Sequence, residues 1–164
     1  MKKILVLYFI TLSMISFSKI NTGVKFLGNF GIGSLQKGTS NFNYSGSMEV
    51  YKKFDISNDT FINFGAGLEV GQINPIISKD LESKKVYIYP SINFEAGKEI
   101  VDDIKLSGEL KFGYTNFVDS NYKLGNKFII NTSANVTYKN LWVSQIGVSY
   151  PLNVNISSGI KVDF

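Results

Sequence analysis

Ten charged side chains could do chemistry together: Lys25, Glu49, Lys53, Glu69, Glu95, Lys105, Glu109, Lys111, Lys161 and Asp163. Each falls on the polar side of a segment in which polar and apolar residues alternate. Carboxylates and ammonium groups mixed in this way can pair into a buried charge network, or line a narrow polar path for water or small ions. A third use is acid–base work beside a nucleophile, and Ser107 between Lys105 and Glu109 offers the residue types for it. Such neighbours arise by chance on any polar strand face, so no catalytic residue is assigned. The chain has no histidine and no cysteine, and all 17 basic residues are lysines. Absent histidine removes the usual general base near neutral pH. Absent cysteine removes thiolate nucleophiles, iron–sulfur clusters, disulfides and a lipid-modified cysteine anchor. No guanidinium fork is present to clamp phosphate or carboxylate. Asp102-Asp103 or the Asp80/Glu82 pair could hold a cation weakly at a surface, but neither forms a recognised ligand pattern. No metal and no cofactor is therefore expected.

The elements that must position these charges are read from a period of two. Eight consecutive segments alternate between residues 20 and 164. The first sets Val24, Phe26 and Phe30 against Lys25 and Asn29. The second sets Phe42, Tyr44, Met48, Val50 and Phe54 against Asn43, Ser45, Ser47, Glu49 and Lys53. The remaining six repeat the scheme, down to Val154, Ile156, Ile160, Val162 and Phe164 against Asn153, Ser157, Lys161 and Asp163. Alternation of this kind predicts strands with one apolar and one polar face. The seventh segment, Leu141 to Tyr150, carries the weakest pattern. The breaks are rich in Asn, Asp, Ser, Gly and Lys, as turns require. Short breaks at Ser57–Asp59, Glu99–Asp103 and Lys139–Asn140 alternate with longer ones at Ser34–Asn41, Ile73–Lys85 and Asn116–Lys127. Pro151-Leu152 is a short exception, and Ile76–Lys85 could form a turn of helix.

Residues 1–18 have a different character. Lys2 and Lys3 precede an apolar run from Ile4 to Ile15, and Ser16-Phe17-Ser18 places small residues where a signal peptidase reads them. The run is too short to span a bilayer comfortably as a helix. The expected organisation is a signal peptide over 1–18 and one barrel over 19–164. Loss of the leader leaves 15 lysines against 13 acidic residues, a side-chain charge of +2. That balance is too small and dispersed to predict nucleic-acid binding.

The polar face is dominated by Asn, Ser, Thr and Gly, which suit the cramped interior of a small barrel. The other face carries long aliphatic and aromatic side chains on nearly every strand. The expected barrel is therefore inside out, with the apolar face toward lipid. Aromatics at the two ends of that face, Phe54, Tyr138, Trp142 and Phe164 at one and Phe42, Tyr114, Phe128 and Tyr150 at the other, would form interfacial girdles.

With its signal peptide, eight amphipathic strands, short turns on one side and terminal Phe164, the chain resembles the small outer membrane β-barrels. The nearest comparison is the transmembrane domain of the outer membrane protein A family and its single-domain relatives. The final strand, with Ile156, Ile160, Val162 and Phe164, is similar to the C-terminal signal read by the barrel assembly machinery. The resemblance implies an all-β, eight-stranded antiparallel up-and-down transmembrane barrel. It further implies export across the inner membrane, insertion by that machinery, contact with outer membrane lipids and lipopolysaccharide, and both termini in the periplasm. The expected role is non-enzymatic: a structural or surface-interaction barrel, monomeric, with a charge-networked interior and outward loops. Two alternatives are a low-conductance channel for water or small ions and a soluble periplasmic barrel that binds a small ligand.

Overall fold

The computed structural model of the chain describes residues 21–33, 40–77, 85–118, 128–150 and 153–164. The expected leader over 1–18, residues 34–39 of the first long break, the lysines and acids of 78–84 and 119–127, and Pro151-Leu152 lie outside them.

Among the described residues nine strands form: β1 Thr22–Gly33, β2 Ser40–Asp55, β3 Thr60–Ile77, β4 Lys85–Val101, β5 Ile104–Tyr114, β6 Asn116–Phe117, β7 Phe128–Tyr138, β8 Trp142–Tyr150 and β9 Asn153–Asp163. Every pairing is antiparallel, each neighbour follows in chain order, and β1 pairs with β9 to close the sheet. Strand β6 is the continuation of β5, so the barrel has eight staves, the number the alternation predicts. The interruption has a cause in β4. Continuing the β4–β5 register places Pro90 opposite Tyr114, and proline has no N–H to donate. The side-chain amide of Asn116 donates to the Tyr114 carbonyl instead, at 3.3 Å. Pairing resumes at Ile88 with Asn116 and Tyr87 with Phe117.

Several boundaries differ from the sequence reading. Strand β3 runs to Ile77 because Ser40 to Asn43 of β2 supply it with partners, so Ile73–Ile77 is neither loop nor helix. Glu99–Val101 belongs to β4, which shortens that turn to Asp102-Asp103. Asn116-Phe117, read as loop, is strand. The tight turns have the backbone their residues allow. Lys139 and Asn140 both adopt positive φ, 52° and 55°, and the Leu141 N–H donates to the Tyr138 carbonyl at 3.1 Å. Two successive positive φ values are the requirement of a type I′ turn, here within the three residues between the paired Tyr138 and Trp142.

The polarity of the barrel is inverted. Phe26, Phe30, Phe64, Phe94, Leu110 and Ile146 are exposed on the outside, whereas Lys25, Glu49, Glu95, Glu109 and Lys161 are 1–5% exposed within.

Candidate functional site: a charge-paired lumen

The interior is built in three layers. The middle layer joins four charges from three staves. Lys25 and Glu49 are direct cross-strand neighbours on β1 and β2, and the Lys25 ammonium lies 2.8 Å from Glu49 Oε2. The same ammonium reaches across the lumen to Glu109 Oε1 at 2.8 Å. Lys111 pairs with Glu49 and stands 3.6 Å from Glu109 Oε2. Asn93 donates to Glu49 at 2.8 Å and to Glu109 at 3.2 Å, and Gln145 donates to Glu109 at 2.9 Å. Two ammonium groups thus face two carboxylates, with amides satisfying the remaining lone pairs, as buried ions require.

The layer toward the tight turns centres on Glu95. It accepts from Asn63 at 2.8 Å, Ser107 at 2.5 Å and Asn135 at 3.2 Å, and Lys161 lies 3.5 Å away. The Lys161 ammonium also sits over the Tyr51 ring at 4.8 Å and the Phe61 ring at 5.2 Å. Nearer the rim, Tyr51 donates to Asp163 at 2.5 Å, and Lys53 approaches Asp55 at 3.1 Å and Asp163 at 3.8 Å. Lys105 stands 3.7 Å from Glu99. Lys105, Ser107 and Glu109 are not a catalytic triplet in space, because Ser107 donates to Glu95 and Glu109 belongs to the middle layer.

The third layer faces the long-break end. Glu69 accepts from Ser45 at 2.7 Å and from Tyr87 at 2.5 Å. No lysine lies within ion-pair distance of it among the described residues. The ten charges named from the sequence therefore separate into one four-membered ring, one pair around Glu95, two rim groups and the isolated Glu69.

Four interior aromatics were missed by the sequence reading as plugs: Tyr51, Phe61, Tyr87 and Tyr89, each 1–6% exposed. A glycine on a neighbouring stave makes room for every one of them. Gly23 is the register partner of Tyr51, Gly97 of Phe61 and Gly71 of Tyr87. Gly113 underlies Tyr89, and a Cβ on any of the four glycines would overlap the facing ring. Parity was the available signal, since Tyr51 shares the face of Glu49 and Phe61 that of Asn63.

On the outside, Tyr138 pairs with Trp142 near the tight turns, and Tyr114 pairs with Phe128 near the other end. Phe54, Tyr150 and Phe164 are exposed at 40%, 69% and 75%, and Phe42 is half-buried against Phe30. In the last strand Ile156 and Ile160 point outward, with Val162 half-buried beside them. Among the described residues no group of three or more acidic side chains could hold a metal ion. No helix among them is long and apolar enough to cross a membrane, which leaves strand crossing untouched.

A closed eight-stave barrel with polar contents and an apolar exterior is the class that this geometry defines. No protein-family profile and no curated protein sequence matches the chain. Solved structures do. A de novo designed transmembrane β-barrel is 9% identical with a TM-score of 0.40, over 85% of this chain and 95% of its own. The attachment invasion locus protein Ail of Yersinia pestis, in complex with the heparin analogue sucrose octasulfate, is 11% identical with a TM-score of 0.42, over 87% and 97%. Ail of Yersinia pestis in a phospholipid bilayer nanodisc is 14% identical with a TM-score of 0.40, over 89% and 100%. At these identities and scores the functional reading rests on the chain's own geometry.

Proposed function

We propose that the chain is a non-enzymatic integral outer membrane barrel with a structural or surface-interaction role. The observation that carries this reading is the inversion of polarity. An exterior bearing Phe26, Phe30, Phe64, Phe94, Leu110, Ile146, Val154 and Ile156 in one band would expose far more apolar surface than a water-soluble monomer tolerates. Hydrocarbon accepts that surface, and closure of β1 on β9 leaves no unpaired strand edge to desolvate. The staves run from 9 to 18 residues, and about 9–11 tilted residues cross a bilayer. A soluble periplasmic barrel would need the opposite polarity.

In this reading residues 1–18 direct export and are removed, and the strand ending at Phe164 is recognised by the assembly machinery. The girdle residues Phe42, Phe54, Tyr114, Phe128, Tyr138, Trp142, Tyr150 and Phe164 sit at the two lipid interfaces, and lipopolysaccharide surrounds the long-break end. The protein acts as a monomer. Kinship with the outer membrane protein A transmembrane domain is one of architecture. The mid-lumen ring of Lys25, Glu49, Glu109 and Lys111 favours a sealed interior over the channel alternative.

Fractionation of expressing cells, together with gel migration before and after boiling, tests the proposal. Recovery with outer membranes and a heat-modifiable band is the expected result. Recovery in the soluble periplasmic fraction would refute it.

A further inference from the structure

The third layer of the lumen contains a cavity of about 60 Å³, lined in part by Asn43, Glu69, Tyr87, Thr115 and Asn153. That volume admits a few water-sized spheres. Three oxygens on side chains that line it, Asn43 Oδ1, Thr115 Oγ1 and Asn153 Oδ1, are buried without a hydrogen-bond partner. Thr115 is 2% exposed and Asn153 6%. Three unpaired buried oxygens around one cavity with a carboxylate make an oxygen-rich chamber, and among the described residues Lys111 is the one ammonium on its wall.

Among the described residues the interior lysines are engaged with other carboxylates. Lys25 and Lys111 balance Glu49 and Glu109, and Lys161 is spent on Glu95. Among the described residues no lysine stands within ion-pair distance of Glu69. The backbone beside it leaves room for those oxygens. Asn43 from β2 and Asn153 from β9 converge over Gly31 of β1, where a Cβ would collide with both amides.

We propose that this chamber binds a single monovalent metal cation of sodium or potassium size. Its ligands are the Glu69 carboxylate and the oxygens of Asn43, Thr115 and Asn153. One positive charge balances Glu69. Divalent oxygen sites recruit several carboxylates, which the chamber does not offer, and the nearby Lys111 ammonium opposes a second charge.

The test uses the full mature barrel refolded in a zwitterionic detergent. Thermal unfolding is followed at constant ionic strength while N-methylglucamine chloride is exchanged for sodium or potassium chloride. The midpoint is expected to rise by about 2–5 °C and to saturate with the metal cation. Glu69→Gln and Asn153→Ala should abolish the rise. Crystals of the unaltered protein soaked in thallium(I) supply a measurement independent of either variant's folding, with an anomalous peak expected beside Glu69. A midpoint indifferent to the cation with no anomalous peak would overturn the proposal, and so would stabilisation by divalent ions alone.

Discussion

Glu95 and Glu109 are direct cross-strand partners on β4 and β5, two carboxylates side by side on the same interior wall. On the far wall Lys25 and Lys161 are likewise partners on β1 and β9. Like charges so placed repel within each wall. The arrangement is stable because each lysine spans the lumen to one acid, Lys25 to Glu109 and Lys161 to Glu95. The two walls are thereby tied together across the barrel's width.

Removal of one member should be costly. Glu109→Ala leaves Lys25 short of a partner and strips Gln145 of its acceptor, and Glu49→Ala does the same to Lys111. Breaking a buried pair costs about 3–5 kcal/mol, which corresponds to a fall of about 6–20 °C in the unfolding midpoint in detergent. The double variant Lys25→Met with Glu109→Leu should lose less than the two single variants summed. Unchanged melting in both Glu49→Ala and Glu109→Ala would remove the network from the account of stability.

The glycine–aromatic pairs predict a steric effect. Gly23→Val would place a branched side chain in the volume of the Tyr51 phenol. Overpacking of this kind costs about 1–3 kcal/mol. Denaturant unfolding of Gly23→Val, Tyr51→Ala and the double variant should show partial rescue in the double variant, because the smaller residue vacates the contested space. Strictly additive losses would mean that the two positions do not compete.

Conductance gives a third check. Eight staves enclose an interior just wide enough for side chains, and here those side chains are cross-linked by charge at mid-height. The refolded protein in a planar bilayer should show no unitary current steps. Reproducible steps would demand a rearranged lumen and favour the channel reading.

The turn between β2 and β3 should keep its carboxylate ionised well into acid. Asp59 accepts from Ser57 at 2.7 Å and from Thr60 at 3.1 Å, and its other oxygen lies 2.9 Å from the Lys98 ammonium. These partners, Ser57 first, hold its carboxyl down to about 2 from the ordinary 3.8. Because the folded value is the lower one, the stabilisation is complete above the ordinary value and is lost as pH falls through about 2. Titration of the Asp59 side chain by NMR should give that low midpoint. Amide exchange across residues 56–60 should lose its acid dependence in Asp59→Asn.

The eight staves were legible because alternation is local: Val86, Ile88 and Ile92 against Tyr87, Tyr89 and Asn93 declare two faces without reference to any other strand. Partnerships were less legible. Lys25 and Glu109 are separated by 84 residues, and only closure of the barrel brings their walls face to face. Tyr51 was unread as a plug because its counterpart, Gly23, becomes its neighbour only through the β1–β2 register. The extension of β3 through Gln72-Ile73-Asn74-Pro75 was hidden by residues of turn-like composition, which paired backbone on β2 overrides. Pro90 lay in a strand pattern, and its effect on the opposite stave appears only when Tyr114 stands across from it.

The seam between the first and last staves has a kinetic meaning. The Phe164 N–H donates to the Thr22 carbonyl at 2.7 Å, so the final residue completes the ladder begun by the first strand. Every other stave contact joins chain neighbours and can form hairpin by hairpin, whereas this one must wait for β9 and closes the longest loop in the fold. Once shut, the ring has no free end from which to unravel. Unfolding that begins at this seam must part the β1–β9 ladder from Gly23 to Gly33, and the rate of that step would report the height of its barrier.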